Sequence, residues 1–241
     1  MRYAIIGDLH GRHDHLRLVL QDAARRGVDE VLSLGDIFDV RVPKSNSRAF
    51  TFTGLEAVVD AHPDLVALLG AGRTVRGNQE DRILELVPPD RLPPALSCLG
   101  RLPSRIWIGD ACLEHGHRFE WPDYAPGVGV PAAEGVAGRV AFYGHNHQNV
   151  AFQPAGPAYT RLEVTPGVPL ALCGPGRYLL NVATIHWPAW VLYDDAAAAA
   201  TYYLCAGGGS TARPWAPPWA PPWAPPWAPP QAPPRGLGVQ G

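Results

Sequence analysis

Five times between residues 7 and 147, a run of strand-forming residues gives way to glycine beside aspartate, asparagine or histidine. The segments are Gly7-Asp8-Leu9-His10-Gly11, Gly35-Asp36-Ile37-Phe38-Asp39, Gly77-Asn78-Gln79-Glu80, His115-Gly116-His117 and Gly144-His145-Asn146-His147. Glycine permits the tight turn that aims a neighbouring side chain back over a sheet edge. Loops at one edge of a sheet converge on a point even when they are far apart in sequence. A fold that places five such loops together must keep its strand ends on one side, and this restricts the chain to layered α/β architectures.

The local pattern agrees. Residues 2–6 (RYAII) read as a buried strand, and residues 13–26 carry Leu16, Val19, Leu20 and Ala23 at helical spacing, with Gly27 as C-cap. Residues 30–34 form a second strand. Helical stretches are expected at 55–61, from Pro63 to near Gly70, and at 80–87, with a strand at 73–76. Residues 105–108 and 111–114 read as strands about a Gly109-Asp110 turn, and 139–143 as another. Residues 150–205 are strand-rich, with 178–182, 190–193 and 201–204 the clearest. Early βα units followed by a run of strands imply two sheets packed face to face with helices outside.

The segments offer a set of seven metal donors, two carboxylates, one amide oxygen and four imidazoles, and they contain no thiolate. Mixed nitrogen and oxygen ligands suit manganese, iron, zinc or nickel rather than a thiolate zinc site. Seven donors exceed what one tetrahedral ion needs. They suit two ions that share a carboxylate, the arrangement that turns a bridging water into hydroxide and steadies an in-line displacement at phosphorus.

A formal net charge of -2 gives no basic excess for broad nucleic-acid binding. Cys98, Cys112, Cys173 and Cys205 lie far apart with no paired spacing, so scattered thiols are expected rather than a disulfide framework. No apolar run reaches membrane-span length, and the chain runs from Met1 straight into its first strand without room for a signal peptide, so a cytoplasmic location is expected.

The order D-x-H, GDxxD, GNxE, HGH and GHxH resembles the calcineurin-like metallophosphoesterase superfamily, from Met1 to about Cys205, and the YLLN stretch at 178–181 resembles a late core strand of its small bacterial members. The resemblance implies a four-layer αββα sandwich of two mixed β-sheets flanked by helices. It implies that Asp8, His10 and His147 hold one metal, that Asn78, His115 and His145 hold the other, and that Asp36 bridges them. Asp39 would orient a ligand imidazole. Asp36, Asn78, His145 and His117 are the candidate catalytic residues, with two divalent transition-metal ions, manganese first, as cofactors. The implied activity is hydrolysis of phosphate esters, favouring phosphodiesters or activated esters. The alternatives are a phosphomonoesterase or dinucleoside polyphosphate hydrolase and, from another class, a catalytically weak metal-binding scaffold such as the retromer subunit of this fold. The oligomeric state is left open.

The chain departs from the pattern at two places. Gln79 stands where the family usually carries a histidine proposed as general acid, and glutamine has no proton to give at an accessible pKa. Asp39-Val40-Arg41 replaces the Asp-Arg-Gly of the family's protein phosphatases. His117 is then a replacement acid, a hydrogen-bond donor near the ligands or a surface residue. Among the other histidines, His13 and His15 are expected on the solvent face of the first helix, His62 in a turn, and His186 in a loop after the 178–182 strand, near where members of the family approach the site, with substrate contact the lesser reading. Arg12, Arg41 and Arg76 adjoin the motif loops and have the planar fork that suits a phosphate, although a solvated or structural role is the favoured reading for each. The loops 41–54 and 118–138 are expected to shape the pocket.

Residues 1–205 form the expected phosphoesterase domain, and residues 206–241 a glycine hinge and a low-complexity tail. Trp-Ala-Pro-Pro repeats start at Trp215, Trp219, Trp223 and Trp227, and a degenerate copy at Gln231. Prolines at this density support polyproline II or disorder rather than helix or sheet. One reading is neutral expansion of a short repeat. The other is a ligand for aromatic grooves that bind polyproline II segments, weakened by the lack of a charged anchor inside the repeat.

Overall fold

The computed structural model describes residues 1–125, 128–156 and 158–205, so the tail lies outside the described residues. Its strands are β1 (Arg2–Ile6), β2 (Glu30–Ser33), β3 (Arg73–Thr74), β4 (Arg105–Ile108), β5 (Ala111–Glu114), β6 (Asp123–Ala125), β7 (Val128–Gly129), β8 (Val140–Tyr143), β9 (Val150–Ala155), β10 (Ala158–Leu162), β11 (Pro169–Ala171), β12 (Tyr178–Asn181), β13 (Ala189–Asp194) and β14 (Ala199–Leu204). Three α-helices, α1 (His13–Arg25), α2 (Pro63–Ala71) and α3 (Asn78–Leu86), are joined by short 3₁₀ turns. One mixed sheet runs β11-β14-β13-β1-β2-β3 and the other β10-β9-β12-β8-β5-β4, the two mixed sheets expected from the sequence.

Side-chain alternation explains the layering. In β1, Ala4 and Ile6 face α1, α2 and α3, while Tyr3 and Ile5 face the second sheet. A strand apolar on both faces must be covered on both. The helices supply Leu16, Val19, Leu65, Leu68 and Ile83 to one side, and Leu113, Phe142 and Leu180 of the second sheet meet the other. The outer face of the second sheet, with Tyr143, Phe152 and Leu179, is covered by Val128, Val130 and Val136. These come from the β6–β7 hairpin and the turn after it, within the loop expected to shape the pocket.

Register puts the motif loops on one edge. Parallel pairing aligns Ile6 with Ser33 and Ser33 with Thr74, so the segments after β1, β2 and β3 leave the first sheet together. In the second sheet Leu113 pairs with Phe142 and Tyr143 with Asn181, so His115 and Gly144 emerge side by side. Ligand sites lie beyond the carboxyl ends of parallel strands for this topological reason.

Three local expectations are corrected. The helix expected over 55–61 is a single 3₁₀ turn, Leu55–Ala57, after which Val59 bridges to Val40 instead of continuing the helix. The third helix starts at Asn78, two residues earlier than its apolar spacing suggests, because Gly77 caps it. His15 is buried rather than solvent-facing, with its Nδ1 bonded at 2.7 Å to the Thr184 carbonyl. Its neighbour His13 is half-buried and stacks on His62, with ring centroids 3.7 Å apart, while His62 caps α2 by accepting the Asp64 N–H. All four cysteines are free; Cys112 is buried, Cys98 and Cys205 are half-buried, and Cys173 is exposed. Among the described residues, no helix is long and apolar enough to cross a membrane.

Candidate metal centre and active site

The loops aim their side chains by accepting an unusual backbone. Asp8, His10, Asp36, His145 and His147 all have positive φ, between 44° and 74°, and Ala198 is the only other non-glycine residue among those described to do so. Left-handed backbone is costly for residues with a Cβ and persists where surrounding contacts over-determine it, typically at functional sites. The glycines are needed for close approach. A Cβ on Gly77 would sit 2.3 Å from Asp36 Oδ1, and one on Gly144 would sit 2.9 Å from Asp8 Oδ2.

The seven donors form one continuous cluster. His147 Nε2 lies 3.1 Å from His10 Nε2, which lies 3.5 Å from Asp36 Oδ2. The same Asp36 oxygen lies 3.3 Å from His115 Nε2. His115 Nε2 is in turn 3.0 Å from Asn78 Oδ1, which is 2.9 Å from His145 Nδ1. Asp8 closes the group, with its Oδ1 3.8 Å from His115 Nδ1 and both its oxygens 3.0 Å from the His145 N–H. Two sets of ligand atoms, Asp8–His10–His147 and Asp8–Asp36–His115, are compact enough for one cation each. Asp8 belongs to both sets, whereas the family resemblance assigns it to one metal only.

Supporting contacts set the ring orientations. His115 donates Nδ1–H to the Leu34 carbonyl at 2.8 Å, which turns Nε2 toward Asn78 and Asp36. Asp39 Oδ1 lies 3.4 Å from His10 Nδ1. Asp36 Oδ1 accepts the Gln79 N–H at 2.8 Å. Asn181, at the end of β12, donates from Nδ2 to the Gly144 carbonyl and accepts the Gln148 N–H, which braces the Gly144–His147 loop. Trp121 donates Nε1–H to the Gly116 carbonyl, and its ring lies 5.9 Å from that of His145.

The electrostatics call for positive charge. Burial pushes the Asp8 carboxyl up to about 7, with His115 opposing and Asp36 reinforcing. Burial also pushes Asp36 up, but its hydrogen bond to His115 and the His115 charge outweigh it and leave Asp36 below the usual range. Burial pulls His115 down, yet Asp36, Asp8 and Glu80 hold it at about 9. Burial and the neighbouring His115 charge lower His145 to about 4, and burial with His10 does the same to His147. The neutral imidazoles of His145 and His147 beside the desolvated carboxylates of Asp8 and Asp36 are donors that fit divalent cations.

Several residues near the loops have other partners. Gln79 Oε1 accepts the Val40 N–H at 3.2 Å and Arg82 Nη1 at 3.3 Å, which ties α3 to the loop after Asp39. Arg12 pairs with Asp14 and donates to the Ile185 carbonyl. Arg41 pairs with Asp60 and donates to the Glu56 carbonyl, and Arg76 pairs with Asp81. These three arginines serve structure. The His117 ring lies 5.3 Å from that of His115, and the His186 ring 5.9 Å from that of His147. Two roles are missed by pattern reasoning. Glu80 accepts the N–H groups of Asp36, Ile37 and Gly77, and Arg118 donates Nε–H to His117 Nε2. Glu80 was visible only as a motif letter, and Arg118 only as the residue after His117.

The sequence model of the family described as calcineurin-like phosphoesterase matches residues 1–174. A metallophosphoesterase from Sphaerobacter thermophilus superposes with a TM-score of 0.61 at 20% identity, covering 86% of this chain and 88% of that one. A candidate diadenosine tetraphosphatase superposes with a TM-score of 0.50 at 17% identity, over 86% and 95%. Both likenesses bear on the fold. No curated protein sequence matches this one.

Proposed function

Because this chain belongs to the calcineurin-like phosphoesterase family and is thereby a metallophosphoesterase, we propose that it hydrolyses phosphate esters at a dinuclear centre, favouring phosphodiesters and activated esters. The observation that carries this reading is the position of Asp36, whose Oδ2 lies between His10 at 3.5 Å and His115 at 3.3 Å. Asp8, His10 and His147 would hold one cation, Asn78, His115 and His145 the other, and Asp36 would serve both. Manganese is the first choice; iron, zinc and nickel share the donor preference. Bound there, such a pair supplies an acidified water and offsets the charge of the phosphoryl oxygens. Residues 1–205 are the catalytic domain in this reading, and 206–241 an appended tail.

The chain's own side chains orient the substrate. With Oδ1 turned to His115 and His145, Asn78 keeps its Nδ2 donor for a phosphoryl oxygen. His117 Nε2 accepts from Arg118 at 3.1 Å and lies 3.4 Å from Asp81 Oδ2; with Nε2 as acceptor the ring proton sits on Nδ1. Its Nδ1 is buried without a protein partner, and in this reading a shift of the ring on substrate binding turns it to a substrate oxygen. Replacing His117 with Leu should lower kcat on bis-p-nitrophenyl phosphate roughly 10²-fold, the scale of one lost donor to a developing oxyanion. His117→Asn, which restores an N–H near the same place, should recover most of it. Equal losses in both variants would remove His117 from substrate contact.

Gln79 sets a second expectation. With no titrating group at that position, expelling an alkoxide lacks a factor of roughly 10²–10⁴ that a placed acid contributes. The manganese-loaded enzyme should therefore cleave bis-p-nitrophenyl phosphate much faster than glycerol phosphate. Including a dinucleoside polyphosphate in the same assay tests the alternative. Faster turnover of the alkyl monoester than of the activated diester would overturn the proposed preference, and no turnover of any would return the scaffold reading.

A further inference from the structure

Among the 20 Lys and Arg residues of the chain there is one lysine, Lys44. It opens a 3₁₀ turn, Lys44–Ala49, in the loop 41–54 expected to shape the pocket. Lys44 is exposed, and among the described residues its ammonium meets no carboxylate or carbonyl. Arg12, Arg41 and Arg76, the cations that adjoin the motif loops, all have carboxylate partners. Lys44 is the exception near the site.

The segment that carries Lys44 is fastened to the metal edge. Asp39 Oδ1 lies 3.4 Å from His10 Nδ1. The next residue, Val40, donates its N–H to Gln79 Oε1 at 3.2 Å, and Arg82 of the same helix α3 donates to the Val42 carbonyl. Between them Arg41 donates its N–H to the Val58 carbonyl at 2.8 Å, and Val40 bridges to Val59. Lys44 follows two residues after this fastened stretch. Asn78, beside Gln79 at the start of α3, has its Oδ1 2.9 Å from His145 Nδ1. The lysine charge reaches that end of the cluster: burial and the His115 charge lower His145 most, and the Lys44 ammonium acts in the same direction. Gln79, which replaces the histidine usual in the family, thus helps to place a cation instead.

In the proposed centre the carboxylates of Asp8 and Asp36 do not offset two divalent cations, so Lys44 adds positive charge beside a site that is already positive. No protein anion balances it, and the balancing charge is left to the ligand. The metal pair, Asn78 and His117 already address the phosphoryl group under attack, whereas Lys44 belongs to a separate loop. We propose that Lys44 binds a second anionic group of the substrate, so that the preferred ester carries another phosphate within a nucleotide's span of the one being hydrolysed. This inference rests on the proposed phosphoesterase reading and names the substrate class for it. A lysine suits the task, because a compact charge on a flexible stem follows a phosphate without demanding one geometry. An exposed ion pair contributes little by itself, but a cleft of one sign concentrates the field, and the expected preference is about fivefold.

The test is calorimetric titration of the manganese-loaded full chain with thymidine 5′-phosphate and with thymidine 3′,5′-bisphosphate, which differ by one phosphate. The bisphosphate should bind about fivefold more tightly. Lys44→Met should bring the ratio of the two affinities to about one by weakening the bisphosphate alone, and Lys44→Arg, which keeps the charge, should retain most of it. The p-nitrophenyl 5′-esters of the same two nucleotides share a leaving group, and their KM values should follow the same ratio with kcat unchanged. Equal affinities in the unmodified protein would overturn the proposal, as would a preference that survives Lys44→Met. A preference lost equally in Lys44→Met and Lys44→Arg overturns it too, since loop shape rather than charge would then be responsible. Because binding is read without turnover, the two readings fail separately. An intact, Lys44-dependent affinity ratio with neither ester cleaved would remove the hydrolysis and leave the anion site standing, whereas cleavage of both esters with no such ratio would remove only the anion site.

Discussion

Asp36→Asn should lower kcat by at least roughly 10³-fold and reduce metal content at both sites, while the protein stays folded. The oxygens of Asp36 have separate duties. Oδ1 accepts the Gln79 N–H at 2.8 Å, a contact an asparagine carbonyl preserves. Oδ2 faces His10 and His115, and an amide nitrogen there would turn a donor toward them and remove the negative charge the two clusters share. A carboxylate common to two cations has twice the consequence of a terminal ligand, since losing it weakens each cation's hold as well as the field at the reacting phosphorus. The measurements are metal per chain by mass spectrometry after manganese loading, turnover of bis-p-nitrophenyl phosphate, and melting temperature. Close to two ions per chain are expected in the unmodified protein. Full activity in Asp36→Asn would sink the dinuclear reading; loss of one ion only, with turnover kept, would reassign Asp36 to a single site.

The sequence exposes some of this organisation and conceals the rest for physical reasons. Strand β1 is legible because five consecutive residues suit a buried strand and Gly7-Asp8 ends it. The same holds at β2, and the coincidence of glycine with Asp, Asn or His at five strand ends is what singles out the candidate ligands. Helix α1 is legible from its apolar stripe, but not the fate of His15, because its partner, the Thr184 carbonyl, is 169 residues away. No local periodicity reports a contact of that span. The stretch after Leu55 carries helical composition but is captured by the bridge from Val59 to Val40, a tertiary override of propensity. Arg12, Arg41 and Arg76 sit beside the motif loops in sequence, and only the folded structure reveals that protein carboxylates and carbonyls already occupy them. The hairpin β6–β7 has too few residues to signal itself, although its Gly129 carbonyl accepts from Asn146 in the last motif loop.

Glu80→Ala should destabilise the protein by about 3–5 kcal/mol, a fall in melting temperature of roughly 6–20 °C for a chain of this size. Glu80 is fully buried, and burial together with the nearby Asp36 charge pushes its carboxyl up to about 7, against the pull of the N–H groups it accepts. Its Oε2 takes the N–H of Asp36 at 2.8 Å and of Gly77 at 2.9 Å, and its Oε1 the N–H of Ile37 at 2.9 Å. One side chain on α3 thus holds the Gly35–Phe38 loop and the start of its own helix, and through them the position of Asp36. Alanine leaves three backbone donors buried without acceptors, and each such orphan costs on the order of 1–3 kcal/mol, less when neighbours relax together. Glutamine keeps one oxygen but puts a donor against an N–H wherever its amide nitrogen lies, so Glu80→Gln should melt between the alanine variant and the unmodified protein. Turnover should fall in the same order, because the Asp36 backbone loses its anchor before any ligand is removed. Thermal unfolding of the three proteins at equal manganese concentration is the measurement. An alanine variant melting within about 2 °C of the unmodified protein would mean that water or a shifted loop satisfies those donors, and that Glu80 does not set the geometry of the metal edge.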